Sequence, residues 1–155
     1  MSKSNKFNLK QAEQKARKAL EAAIVDVGNT AKVFFVESFR KQGWDDKSVQ
    51  KWKPRKRTTY KTKSGKVVDD TTRAILVKEG DLRRSIIRNP ANRAALSIKI
   101  STNLDYAKIH NDGLMGKAFG KHPFNMPKRQ FMGDSYNLNE KVKAVIVKRL
   151  DKVFL

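Results

Sequence analysis

The chain contains no cysteine, which removes disulfides, thiolate nucleophiles and sulfur-ligated metals from its chemistry. Histidine is nearly as scarce, and His110 and His122 are too few to build a structural zinc site unaided. Long hydrophobic runs are missing too. No stretch approaches the roughly 18 consecutive apolar residues of a membrane span, and Met1-Ser-Lys-Ser-Asn-Lys lacks the apolar region of a signal peptide. These shortages predict a protein made in the cytosol, with no membrane partner, no metal, no cofactor and no covalent staple. The last shortage is acidic charge: 15 Asp and Glu stand against 35 Lys and Arg, leaving a net charge of +20 and a pI near 10.4. Such a field attracts DNA, RNA or an acidic protein surface, and it reports on partners rather than on fold.

What is present fits one modest core. With 155 residues and 39% apolar content, a single domain over 1–155 is expected. Leu9, Ala12, Ala16, Leu20, Ala23, Val27, Ala31 and Phe34 recur every three or four positions, which predicts one long amphipathic helix over 9–39. Its second half carries Phe34, Phe35 and Phe39 and should dock on the core. Its Ala-rich first half either projects or is the frayed start of an ordinary core helix, and Gly28 could mark a bend between the halves. Residues 40–72 read as a basic arm. Over 40–66, eleven Lys or Arg face two Asp, with Trp44, Val49, Trp52 and Tyr60 as the sizeable apolar groups. Within it, residues 45–52 could form a short helix, and residues 53–72 a long loop or a loose hairpin around Ser64-Gly65.

Residues 73–111 read as strands and short helices. Ile75, Leu76 and Val77 suit a strand over 73–78, Asp81 opens one helical turn, and 86–101 reads as a hairpin because Leu96, Ile98 and Ile100 alternate with polar residues. Thr102 or Asn103 can cap a short helix that places Tyr106 and His110 on one face and stops at Gly113. Residues 112–136 read as a loop rich in Gly and Pro, and Asn137-x-x-Glu140 as a capping pair for a last helix over 137–153. The resulting fold class is α+β: a small antiparallel sheet packed by the long N-terminal helix and the C-terminal helix.

Three groups of residues invite a chemical reading. His110 with Tyr106 and Asp112 has the minimum for acid-base work, but no nucleophile, oxyanion donor or metal accompanies it. A structural His110 that hydrogen-bonds a nearby loop is the simpler reading, no catalytic residue is nominated, and His122 reads as surface. The arm interleaves Trp44, Trp52 and Tyr60 with Lys51, Lys53, Arg55, Lys56, Arg57 and Lys61. That mixture suits a protein interface anchored by Trp and Arg. It also suits nonspecific nucleic-acid contact, with cations on phosphates and rings on bases, or plain solvation of the arm. Arg129 and Phe131 can likewise serve a partner, or Phe131 can be core while Arg129 pairs with an acidic neighbour.

Trp52-Lys-Pro54, Gly80-Asp-Leu-Arg-Arg-Ser-Ile86, Tyr106-Ala-Lys-Ile-His110-x-x-Gly113 and Met126-Pro-Lys-Arg129-x-Phe131-Met-Gly133 follow one another in fixed order. Across about residues 35–150 this order resembles the virion morphogenesis or tail-completion family of tailed bacteriophages. Asp112-Gly113 stands where that family usually has a Gly pair, and Lys128 where a small residue often separates Pro from Arg. The resemblance implies a structural virion protein of a phage or prophage, not an enzyme, made in the bacterial cytoplasm and built into the particle. It implies tail or head-tail connector proteins as partners, and, tails being sixfold, a ring of six copies. The segment at Arg129 and Phe131 would then help shape the domain beside its binding edge. The interface residues expected are Trp44, Trp52, Lys53, Arg55, Arg57, Arg129 and Phe131; for a nucleic-acid ligand they are Lys51, Lys53, Arg55, Lys56, Arg57 and Lys61.

Overall fold

The computed structural model describes residues 8–56, 59–118 and 121–154. The long helix is there as α1, Leu9–Lys41. Asn8 opens it by accepting a hydrogen bond from the Gln11 N–H at 3.1 Å. Gln42, at φ 52°, closes it in the left-handed region. The Gln42 side chain then donates to the carbonyl of Ile75 and accepts from its N–H, fastening the helix end to a distant segment.

The C-terminal helix, α4, spans Tyr136–Phe154 and packs along α1, with an Arg149–Asp26 ion pair at 2.6 Å. Ala19 and Ala23 of α1 are buried, so the Ala-rich half contributes to the helix pair and does not simply project; residues 8–18 are mostly exposed. The helix also runs on through Gly28. A Cβ there would lie 2.2 Å from Ile98 Cδ1 and 2.8 Å from Arg88 Cδ, so the glycine admits a crossing segment. The cap of α4 differs from expectation. Ser135, not Asn137, accepts from the Leu138 N–H at 3.2 Å, while Asn137 donates to the Asp45 carboxylate at 2.8 Å.

Among the described residues, antiparallel strand pairing occurs as four separate two-stranded ladders, not as one three-stranded sheet. The first pairs β1, Gly43–Asp45, with β2, Val49–Lys51, where a short helix was expected. The reason is tertiary: Trp44 is drawn inward to stack on Phe35, with ring centroids 6.1 Å apart, and to meet Phe34 edge-on at 5.8 Å. The second pairs β3, Thr59–Lys61, with β4, Val67–Asp69, around Ser64-Gly65 as anticipated. Residues 73–78 form no strand. Leu76 turns to φ 60°, and this irregular segment packs on the core under the grip of Gln42.

The one-turn helix α2, Asp81–Arg84, leads to β5, Ile87–Arg88, which pairs with β6, Ile100–Ser101. The predicted alternation over 96–101 is broken because the Asn92 side chain accepts from the Ala95 N–H and Leu96 sits at φ 47°. The helix α3, Tyr106–Asp112, ends at Gly113 in the left-handed region, with Asp105 at its start in place of Thr102 or Asn103. The expected loop over 112–136 holds a hairpin of β7, Met115–Ala118, and β8, His122–Asn125. The core gathers Phe34, Phe35 and Trp44 on one side and Phe39, Trp52 and Phe131 on the other, joined by Leu82, Ile86, Ala107 and Leu138.

Candidate assembly surface

The motif residues converge on one seam. Phe39 lies 5.5 Å from the Trp52 ring and 5.2 Å from that of Phe131, and the Trp52 indole N–H donates to the Gln130 carbonyl at 2.8 Å. On the polar side, the Arg129 N–H donates to the His110 carbonyl at 2.8 Å. The Asn111 side-chain oxygen accepts from both the Phe131 and Met132 N–H groups at 2.9 Å. Arg129 Nε donates to the Lys53 carbonyl at 3.2 Å and its guanidinium reaches the Pro54 carbonyl at 3.4 Å. Among the described residues no carboxylate pairs with Arg129, so the acidic partner expected for it gives way to backbone carbonyls. Gly113 fits here because a Cβ would lie 2.7 Å from the Lys128 N.

This geometry decides where the nominated residues are. Trp44, Trp52, Phe131 and Arg129 are 5, 6, 1 and 6% exposed, so their side chains are buried within the chain itself. Lys53 is exposed. Arg55 donates to the carbonyls of Asp70 and Arg73, clamping the root of the β3–β4 hairpin. Arg57 lies outside the described residues. Lys51 donates to the Lys41 carbonyl at 2.7 Å, while Lys56 and Lys61 are exposed. With both Trp rings inside, the arm keeps Tyr60 as its exposed ring for stacking.

The His110–Asp112 pair does not form. Asp112 is held by Lys108 at 3.0 Å and Asn111 at 2.8 Å, hydrogen bonds that keep its carboxyl below the usual range. His110 Nδ1 is buried without a partner, and burial, helped by the Arg129 charge, depresses its pKa. Its link to the neighbouring segment is its carbonyl, so its role at the seam is carried by backbone. Burial, then the charge of Arg55, likewise lowers the Arg129 pKa.

The start of α4 is held from the first hairpin. Asp46 accepts from the Tyr136 N–H at 2.7 Å, and the Ser135 hydroxyl donates to the Asp45 carbonyl at 2.7 Å. Hydrogen bonding to Lys41, opposed by burial and aided by Asn137, lowers the Asp45 pKa.

Two hairpins differ from all this. Neither the one over 59–69 nor the one over 115–125 packs extensively on any other element. Their exposed side chains are apolar at several points: Met115 is 71% and Val67 58% exposed, with Leu114 next to Met115 and Tyr60 on the strand paired with that of Val67. Asp69 accepts from the Thr71 N–H at 2.8 Å, which shapes the exit of the first, and hydrogen bonding to Thr71 lowers its pKa. In the second, Phe124 covers Gly116, where a Cβ would lie 2.5 Å from the ring. Asn111 offered no sequence signal, because its two acceptor contacts lie across the fold.

The sequence model of one family, described as the phage virion morphogenesis family, matches residues 9–151. No curated protein and no solved structure matches the chain.

Proposed function

Because the chain belongs to the phage virion morphogenesis family, with the structural or assembly role in the virion that this carries, we propose that it completes the tail or joins it to the head as a subunit of a hexameric ring. The observation behind this reading is the pair of hairpins over 59–69 and 115–125. They pack extensively on no other element of a body that buries Trp52, Leu82, Ile86, Ala107, Arg129 and Phe131 of the motifs, and they offer exposed apolar side chains and unpaired strand edges to neighbours. Repulsion between bodies of charge +20 opposes association in free solution. A tail or connector protein of complementary charge supplies the template on which the hairpins meet the next copy. A head-to-tail contact of this kind closes into a ring when its rotation permits.

The test is complementation of a phage lacking its own copy with the double variant Val67→Glu, Met115→Glu. Electron micrographs should show heads and tails unjoined or tails unfinished, with the purified variant folded. Normal particles from this variant would defeat the proposal. The alternative, nonspecific nucleic-acid binding by residues 40–66, has lost Trp44 and Trp52 as stacking groups to the core; among the described residues it retains exposed lysines, Arg40 and Tyr60.

A further inference from the structure

The groove between α1 and α4 is lined in sequence order along its length. Near one end, Lys15, Lys18, Ala19 and Ala22 of α1 face Arg149, Lys152 and Val153 of α4 across an opening of about 330 Å³. Next, Asp26 faces Val145 and Lys148, and at the far end Asn29, Val33 and Glu37 face Lys141. This order also shows that the two helices run antiparallel.

The charge along this groove is one-sided after internal pairing. Asp26 is taken by Arg149 at 2.6 Å and Glu37 by Arg40 at 2.9 Å, so each groove carboxylate is neutralised by an arginine. Lys15, Lys18, Lys141, Lys148 and Lys152 are exposed, and none joins an ion pair among the described residues. On α4, Lys141, Lys148 and Lys152 recur at helical spacing and so share one face. At about 1.5 Å rise per residue they extend over about 16 Å. One strand of a duplex presents about five phosphates in that distance.

We propose that this groove is a contact site for the phosphate backbone of duplex DNA, independent of base sequence. The side-chain types favour this over the other polyanions. Protein interfaces are depleted in Lys and centred on Trp, Tyr or Arg, whereas the free cations here are all Lys. Single strands are held by aromatic platforms, and no aromatic residue lines the two openings from Lys15 to Lys148. Exposed lysines acting as point charges are what counterion release from phosphates requires.

The experiment is fluorescence anisotropy with a labelled duplex of ~20 base pairs over ~0.05 to 0.3 M salt. The full chain is compared with K15Q/K18Q/K148Q/K152Q, with K148Q/K152Q, and with the arm variant K53Q/K56Q/K61Q. The quadruple variant should bind roughly tenfold or more weakly at ~0.15 M salt, with its log-log salt slope shallower by about 3 to 4; the double variant should lose about half of that. The arm variant should change less than either. Thermal melts confirm that these exposed substitutions leave folding intact. Unchanged binding by the quadruple variant overturns the proposal, as does an equal loss in the arm variant. Tighter binding of polyglutamate than of the duplex overturns it in favour of an acidic protein. Failure here leaves the tail reading standing, because that reading is tested by particle assembly and not by DNA affinity.

Discussion

The seam around Arg129 and the hairpin over 115–125 adjoin in sequence and are built on opposite terms. At the seam, backbone groups from residues 53, 54 and 130–132 are satisfied by side chains from elsewhere in the fold, and the apolar rings are closed off from solvent. In the hairpin, backbone pairs with backbone across a local ladder, while Met115 and Leu114 remain exposed. The contrast teaches that the residues carrying the family resemblance frame the molecule. On the proposed assembly reading, the surface available to partners lies in stretches whose sequence is the least distinctive. Asp112-Gly113 and Lys128, the two departures from the family pattern, meet each other: Gly113 at φ 71° lies against the Lys128 backbone.

The comparison breaks first if the seam can be cut cheaply. Phe39→Ala removes the ring that touches both Trp52 and Phe131, and should cost about 3 to 5 kcal/mol in urea or thermal unfolding. Asn111→Ala strands the Phe131 and Met132 N–H groups beside a buried ring and should cost about 2 kcal/mol. If Asn111→Ala melts like the parent, the polar half of the seam is dispensable and the contrast with the hairpins fails.

A smaller effect follows from His110. Its pKa is depressed in the folded chain, so the unfolded chain binds a proton more readily. Stability from this group is therefore whole above about pH 6.5 and declines as pH falls through that ordinary value toward the lower folded one. Melts at about pH 7.5 and 5.5 should show a decrease that His110→Gln reduces. An equal decrease in the variant would assign the acid sensitivity elsewhere.

Much of the body was legible because it rests on local periodicity. The three-to-four spacing from Leu9 to Phe34 gave α1, the last helix expected over 137–153 is α4, and Ser64-Gly65 gave the β3–β4 turn. What failed was decided across the fold. Residues 45–52 read as a helix until the Phe35 ring is placed where Trp44 stacks on it. Trp44, Trp52 and Arg129 read as interface groups because Trp and Arg favour interfaces, while the neighbours that bury them lie far away in sequence. Arg129 was expected to meet an acid, yet its partners are carbonyls, and a carbonyl leaves no trace in a sequence. The groove lysines were visible singly. Their convergence needed the antiparallel course of α1 and α4.

The smallest effect sharpens the comparison most. Val67→Ser and Met115→Ser replace exposed side chains on hairpins that pack extensively on no other element, so together they should shift stability by less than about 0.5 kcal/mol. Natural sequences blunt exposed strand edges with charge or proline, and Lys117, Lys121 and Pro123 do this in the second hairpin. On the proposed assembly reading, Met115, uncovered despite that protection, serves contact and not folding. A loss above 1 kcal/mol on Met115→Ser in thermal melts of the isolated chain would mean that the hairpin packs on the body. The distinction between frame and working edge would then disappear.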